Sequence, residues 1–380
     1  MFGSEKARGI LWQVLLLGAV GFGVWYLFSN TQANLARSNI QVGFAFLGRE
    51  AGFEIAETWI PYDATRSFGR AFLVGIANTL YVAAFGIVIA TIIGTVVGIA
   101  RLSENWLLRK LASAYVEVMR NVPLLLQLLV WYTFFTELLP GIRQAINIGG
   151  LAFLSQRGLR FAWPVEHPAF TWAGIAFVVG LVAFVFWRRH VRKRQQATGQ
   201  QLPVALPAIG LLIGLPVLAW LAGGAPTALE IPKLAGFDMQ GGKVISPEFT
   251  ALLIGLSTYT AAFIAEVVRA GILAVSKGQT EASQALGLSP GQRLRLVTLP
   301  QALRVIIPPM TSQYLNLTKN SSLAVAIGYP DLVSVANTTM NQTGQAIEAI
   351  AILMAVYLVI SLVISFAMNV YNNRVRLVER

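Results

Sequence analysis

The sequence predicts an all-α integral membrane protein with about eight transmembrane helices, and three observations carry that prediction. Of its 380 residues 56% are hydrophobic and only 12% charged, about half the share of a soluble globular chain. Mean hydropathy is +0.63. Apolar runs of about the 20 residues that a bilayer core demands recur along the chain, and lysines and arginines bracket them in the asymmetric manner that sets membrane topology. The net charge of +12 would suit a nucleic-acid binder, but the charges flank the spans and build no compact basic domain, which argues against nucleic acid as a partner. There are no cysteines and two histidines, His167 and His190, so neither a disulfide nor a metal cluster is expected.

Residues 10–28 form the first span, preceded by Lys6 and Arg8. The run is longer than a signal-peptide core, and no small-residue cleavage site follows promptly, so it reads as a retained anchor with a cleaved signal as the competing reading. Residues 29–70 are mixed polar and read as an exported loop. The second span, 71–100, is rich in Gly, Ala and Thr, a composition that lets membrane helices approach closely. Arg101, Arg109 and Lys110 mark its cytoplasmic end. A third span covers 113–138, with Pro123 tolerated near its start.

Residues 139–170 are polar and Gly-rich, and read as external. The fourth span, 171–187, ends in Arg188, Arg189, Arg192, Lys193 and Arg194, a topology determinant that would touch anionic lipid headgroups; regulation is the alternative reading. The fifth span is 203–222 and the sixth 249–268. The seventh, 306–328, is unusually polar, and the last, 348–370, ends at Arg374, Arg376 and Arg380. Eight spans with both termini in the cytoplasm satisfy every basic flank.

Between the sixth and seventh spans lies a polar, basic stretch, Lys277 to Pro309, with helix punctuation. Ser276 with Gln279 suggests a capping box, and Gly287 a left-handed stop. Ser289, Pro290 and Gln292 fit a second helix start, and Pro300 a third. Such construction in a loop suggests a rigid knob on which something docks.

Two short motifs repeat, Glu117-Val-Met-Arg120 and Glu266-Val-Val-Arg269. At this spacing each Glu can neutralise its own Arg. They read either as structural pairs at helix ends or as a gate in which Glu117 and Arg269 cross-pair. Lys319 has no acid close in sequence, and Asn316, Asn320, Ser321 and Ser322 surround it. It reads either as part of a wet substrate path, meeting the charged end of a zwitterion, or as a cation reaching a lipid phosphate. No Walker A pattern or Ser/His/Asp arrangement is present and no catalytic residue is assigned, so the chain carries no visible energy source.

The island resembles a known family. Glu281-Ala282-Ser283, then Gly287, then Val297-Thr298-Leu299-Pro300 is similar to the EAA loop of ABC importer permeases, with Ser283 replacing the second Ala and Val297 the usual Ile. Arg120-Asn121-Val122-Pro123-Leu124-Leu125 and Lys319-Asn320-Ser321-Ser322-Leu323-Ala324 resemble signatures of polar amino-acid permeases, and Gln342-Thr343-Gly344-Gln345-Ala346 the general L-amino acid subgroup. The resemblance covers about 71–138 and 248–372.

It implies the transmembrane domain of a type I ABC importer in a bacterial inner membrane. The chain then divides into an anchor helix and periplasmic loop (1–70), a first part of the permease core (71–138), an insertion with two additional helices (139–247), and a second part of the core (248–380) containing the coupling loop (277–309). ATPase coupling falls to Glu281, Ala282, Ser283, Ala285, Leu286, Gly287, Leu288, Leu299 and Pro300. In this reading Ala282, Ser283 and Ala285 lie on the helix surface, and Glu281 sits at the positive end of the helix dipole. The implied partners are a dimer of ATPase subunits binding ATP and Mg, a second permease chain (heterodimer, with a homodimer as the alternative), a periplasmic amino-acid-binding protein, and lipid. No cofactor is implied in this chain. An ion-coupled secondary transporter and a non-transporting scaffold are the competing functions, the first weakened by acids that sit only at span ends.

Overall fold

The computed structural model describes residues 5–37, 43–200 and 202–375; the basic flank at Arg376 and Arg380 lies outside the described residues. In chain order the helices are α1 (Glu5–Arg37), α2 (Phe68–Ala100), α3 (Trp106–Asn121), α4 (Leu124–Thr133), α5 (Pro168–Thr198), α6 (Ala205–Ile209) and α7 (Leu215–Ala222). There follow α8 (Pro247–Leu273), α9 (Lys277–Ala285), α10 (Pro290–Arg293), α11 (Leu299–Asn320), α12 (Leu332–Thr343) and α13 (Ala346–Val375). The chain divides into two compact units, Met1–Tyr132 with Glu248–Arg380, and Thr133–Pro247.

In the first unit α8 is the central helix. Of its most apolar stretch 61% is buried, against 33% for α2 and 11% for α13, and its hydroxyls Ser257 and Thr260 are buried with it, as suits a membrane helix that faces protein rather than lipid. Small residues let its neighbours close in. A Cβ added to Gly94 of α2 would lie 2.6 Å from the Ile264 Cβ, and one on Gly98 would lie 2.7 Å from the Ala265 carbonyl oxygen. Ala83 and Ala90 of α2, Ile264 and Val268 of α8, and Ala302, Ile306 and Leu317 of α11 form one buried cluster. On the other flank Val116 of α3 packs against Ala262 and Ala265.

A second cluster joins the approach to α2 to the C-terminal helices. Phe46, Phe68, Phe72 and Val74 pack with Leu332, Val335 and Ala336 of α12 and Ala349 of α13. The buried Glu348 carboxylate accepts the Gly43 N–H at 2.7 Å. Asn78 of α2 donates to the carbonyls of Pro330 (2.8 Å) and Glu57 (2.9 Å), while Thr79 Oγ1 accepts the Leu332 N–H at 3.1 Å. By contrast α1 stands apart, with nothing buried along Arg8–Thr31.

Among its described residues the second unit contains α5 to α7 and eight short strands. Ile146–Ile148 (β1), Ala152–Ser155 (β2), Gly158–Phe161 (β3) and Lys243–Ile245 (β8) form an antiparallel sheet in the order β1-β2-β3-β8. Trp163–Pro164 (β4) pairs with Leu229–Glu230 (β5), and Lys233–Ala235 (β6) with Asp238–Gln240 (β7). The first four of these strands fall in 139–170, read from sequence only as polar, Gly-rich and external. They run over only two to four positions, and Gly149 and Gly150, both at positive φ, supply the turn between β1 and β2.

Among the described residues six helices are long and apolar enough to cross a membrane, or seven if a bent pair counts as one span, where the sequence predicts eight. The bent pair is the expected third span, 113–138, which turns by 104° between α3 and α4. Val122 is extended, at φ −92 and ψ 129, because the ring of Pro123 disfavours helical geometry in the residue before it. The expected seventh span corresponds to α11, whose charged and polar side chains keep it out of the set.

Asp331, in the link between α11 and α12 and outside those spans, caps α12 by accepting the Ser334 N–H at 2.8 Å. Its other carboxylate oxygen is buried with no hydrogen bond, and burial pushes the carboxyl up to about 7. The folded state therefore holds this proton more tightly than the unfolded chain does, so the contribution of Asp331 to stability falls as pH rises from about 4 through about 7. Paired thermal unfolding of wild type and Asp331→Asn, which keeps an acceptor for the cap, should show the wild type losing stability relative to the variant across that interval.

Candidate functional site

The stretch from Lys277 to Pro309 is built as two helices with a rigid corner. After α9 the chain makes both bonds of a Schellman stop: Leu288 N–H to Ser283 O at 3.1 Å and Gly287 N–H to Gln284 O at 2.9 Å. Gly287 holds φ +71, which L side chains rarely adopt. Two residues on, Ser289 and Gln292 form a reciprocal capping box, at 3.0 and 3.4 Å, with Pro290 in the first turn.

Four local expectations differ from what forms. Ser276 precedes α9 without a side-chain cap, the Gln279 N–H bonding instead to the Ser276 carbonyl. Glu281 is the fifth residue of α9, beyond the first turn, so the helix dipole gives it little. Ser283 is buried and donates to the Thr280 carbonyl at 2.7 Å, because it is on the face of α9 turned towards 294–298. Pro300 does not restart the chain. A wider π turn over Leu294–Thr298 leads straight into α11, and such a turn relaxes the backbone ladder where proline cannot donate.

Glu281, Ala282, Ala285, Leu286, Gly287 and Leu299 are exposed, with Leu288 and Pro300 half-buried. Leu286 is 80% exposed and Leu296 62%. A knob that presents bare leucines on a backbone fixed at both helix ends suits insertion into a partner's groove.

The two Glu-x-x-Arg motifs diverge. Arg269 donates to Glu266 Oε1 from Nη2 at 2.5 Å and from Nε at 3.2 Å. Glu266 Oε2 accepts from Arg101, the C-cap residue of α2. Glu117 and Arg120 form no ion pair with each other among the described residues; the Arg120 guanidinium instead lies 5.2 Å from the Phe263 ring centroid. Glu117 is exposed and makes no cross-pair with Arg269. Sequence reasoning missed Arg101 as a partner. The signal was there: Arg101 follows Gly94 and Gly98 at steps of four and three, which places all three on one helix face.

Lys319 lies in the last turn of α11 rather than deep in a span, and it is exposed together with Asn316. Asn320 and Ser322 are half-buried, and Ser322 donates to the Lys319 carbonyl at 2.7 Å. Ser321 is not on this face. Two residues along a helix turn by about 200°, which sets it opposite Lys319; it is buried and donates to the Thr318 carbonyl at 2.8 Å, at the start of the 3-10 helix Ser321–Ile327.

Known proteins share this sequence along its length. Residues 198–377 match the family described as binding-protein-dependent transport system inner membrane component. The chain is 50% identical over 378 residues to the general L-amino acid transport system permease protein AapQ of Rhizobium johnstonii, covering 99% of this chain and 94% of the relative. The chain belongs to the permeases of binding-protein-dependent ABC transporters. To the putative amino-acid ABC transporter permease protein YhdX of Escherichia coli this permease is 51% identical over 380 residues, covering 100% and 97% of the two chains. To the glutamate/glutamine/aspartate/asparagine transport system permease protein BztB of Rhodobacter capsulatus it is 40% identical over 409 residues, covering 99% and 96%. Membership makes it a multi-pass inner-membrane component of a transporter with the importer transmembrane fold, working with an ATPase and a binding protein.

Proposed function

We propose that this permease translocates L-amino acids across the inner membrane by alternating access. The observation that carries the reading is full-length similarity to three permeases named for amino acids. The chain supplies no nucleotide motif, so ATP and Mg bind to separate ATPase subunits, and a periplasmic binding protein delivers the substrate. Both termini lie in the cytoplasm, as the basic flanks require.

The contact with the ATPase is α9, its Schellman corner and the start of α11. Exposed Ala282, Ala285 and Leu286 enter the ATPase groove, Glu281 offers a carboxylate to a basic partner, and Gly287 sets the angle between the helices. Closure of the ATPase dimer then moves α9 and α11 as rigid elements. The substrate path follows the exposed face of α11 at Asn316, Lys319 and Asn320. That face is open on this chain, so a second permease completes the path, in a heterodimer. Lys319 meets the substrate carboxylate there.

Reconstitution tests the reading. The complete complex in proteoliposomes should take up L-amino acids only with ATP and binding protein, and uptake by this chain alone would overturn the proposal. Gly287→Val should keep the complex assembled while separating hydrolysis from uptake, since a β-branched residue at that φ costs about 1–3 kcal/mol and shifts the corner; coupled transport in the variant would remove the docking role. Lys319→Glu should raise KM or change substrate preference, and unaltered competition across amino acids would take Lys319 off the path.

A further inference from the structure

We infer that Arg101 is a positioning residue for coupling: through Glu266 it locks the end of α8 that leads into the coupling segment against the end of α2. The inference rests on the docking role proposed for α9 and names how the membrane helices receive its motion.

The link from α8 to α9 is short, running from Leu273 to Lys277. Glu266 stands seven residues before the end of α8, about 10 Å along the axis. Displacement at α9 therefore reaches Glu266 with little slack. The Glu266 carboxylate is held on both oxygens, Oε2 by Arg101 and Oε1 by Arg269. Holding both edges of a planar group fixes its orientation as well as its position, and hence the rotation of α8 about its own axis.

The packing around this clamp has no room for sliding. One turn before Arg101, the Gly98 backbone lies against Ala265 and Val268. One turn and a half beyond Glu266, a Cβ on Gly271 would lie 2.3 Å from Ile306 Cγ1 of α11. The end of α8 is thus gripped by α2 on one side and by α11 on the other, and α11 is continuous with the second half of the coupling segment. Arg101, Glu266 and Arg269 have side-chain exposures of 15%, 29% and 31%. The triad is shielded enough to hold geometry and open enough to reform after each cycle. Arg101 also ends α2, where a cation is favoured by the C-terminal carbonyls. Losing its charge leaves the Glu266–Arg269 pair and the glycine contacts in place but removes the polar tie that transmits rotation of α8 to α2.

The test compares Arg101→Gln with Arg101→Lys in the complete complex, reading substrate imported per ATP hydrolysed alongside thermal stability. Arg101→Gln should assemble and hydrolyse ATP while that ratio falls by about tenfold, the change that ~1.4 kcal/mol sets. Arg101→Lys should recover most of it. Glu266→Asp keeps the charge but shortens the reach, and should lower the ratio as well, so the inference stays open to refutation if Arg101→Gln fails to assemble. A wild-type ratio in Arg101→Gln or in Glu266→Asp overturns the proposal. So does a fall in stability with no change in ratio. Gly287→Val in the same assay separates the two levels: if it uncouples while Arg101→Gln does not, only the clamp fails, and if it stays coupled the docking reading itself fails.

Discussion

The close approach of α2 to α8 is the constraint on which the larger unit depends. Glycines at 94 and 98 let the two backbones come nearer than any side chain allows. In a bilayer the gain comes from dispersion contact between well-fitted surfaces rather than from expelling water. Enclosed by α2, α3 and α11, α8 is the most buried of the candidate spans and the least apolar, because a helix that faces protein need not present hydrocarbon to lipid. The remaining elements arrange themselves on that core. Asn78 and Thr79, higher on α2, hold the entry to α12, and Glu348 ties the loop before α2 to α13.

Charge follows packing in this molecule. Two identical Glu-x-x-Arg spacings produced two different outcomes because their surroundings differ. Glu266 faces the end of α2 and finds a second arginine there; Arg120 of the other motif finds an aromatic ring on α8, where its charge is attracted to the π face. Spacing along one helix states which pairs are reachable. The neighbouring helix decides which reachable pair forms.

Backbone-encoded features of the coupling segment were legible in the sequence for a simple reason. A glycine at a left-handed corner and a Ser-Pro-x-Gln helix start act within a few residues, and both formed as read. Features that depended on burial were not. Ser283 looked like a surface residue until the 294–298 turn covered it, and Ser276 looked like a cap although the backbone carbonyl served instead. On α11 an even helical period already sets Ser321 about 200° around the axis from Lys319, and grouping the two as neighbours in sequence overlooked it. The small strands between 146 and 245 escaped notice because two to four residues hold too little alternation to read.

Composition and the distribution of Lys and Arg by themselves determined that this is a helical membrane protein, because a bilayer core admits little else. The glycine and proline punctuation determined the corner between α9 and α10. Tertiary structure alone decided the enclosure of α8 and the pairing of Arg101 with Glu266. Both turn on which surfaces meet: the glycine face of α2 marks Arg101 as turned towards a neighbour, but nothing local names the residue 165 positions away that it meets.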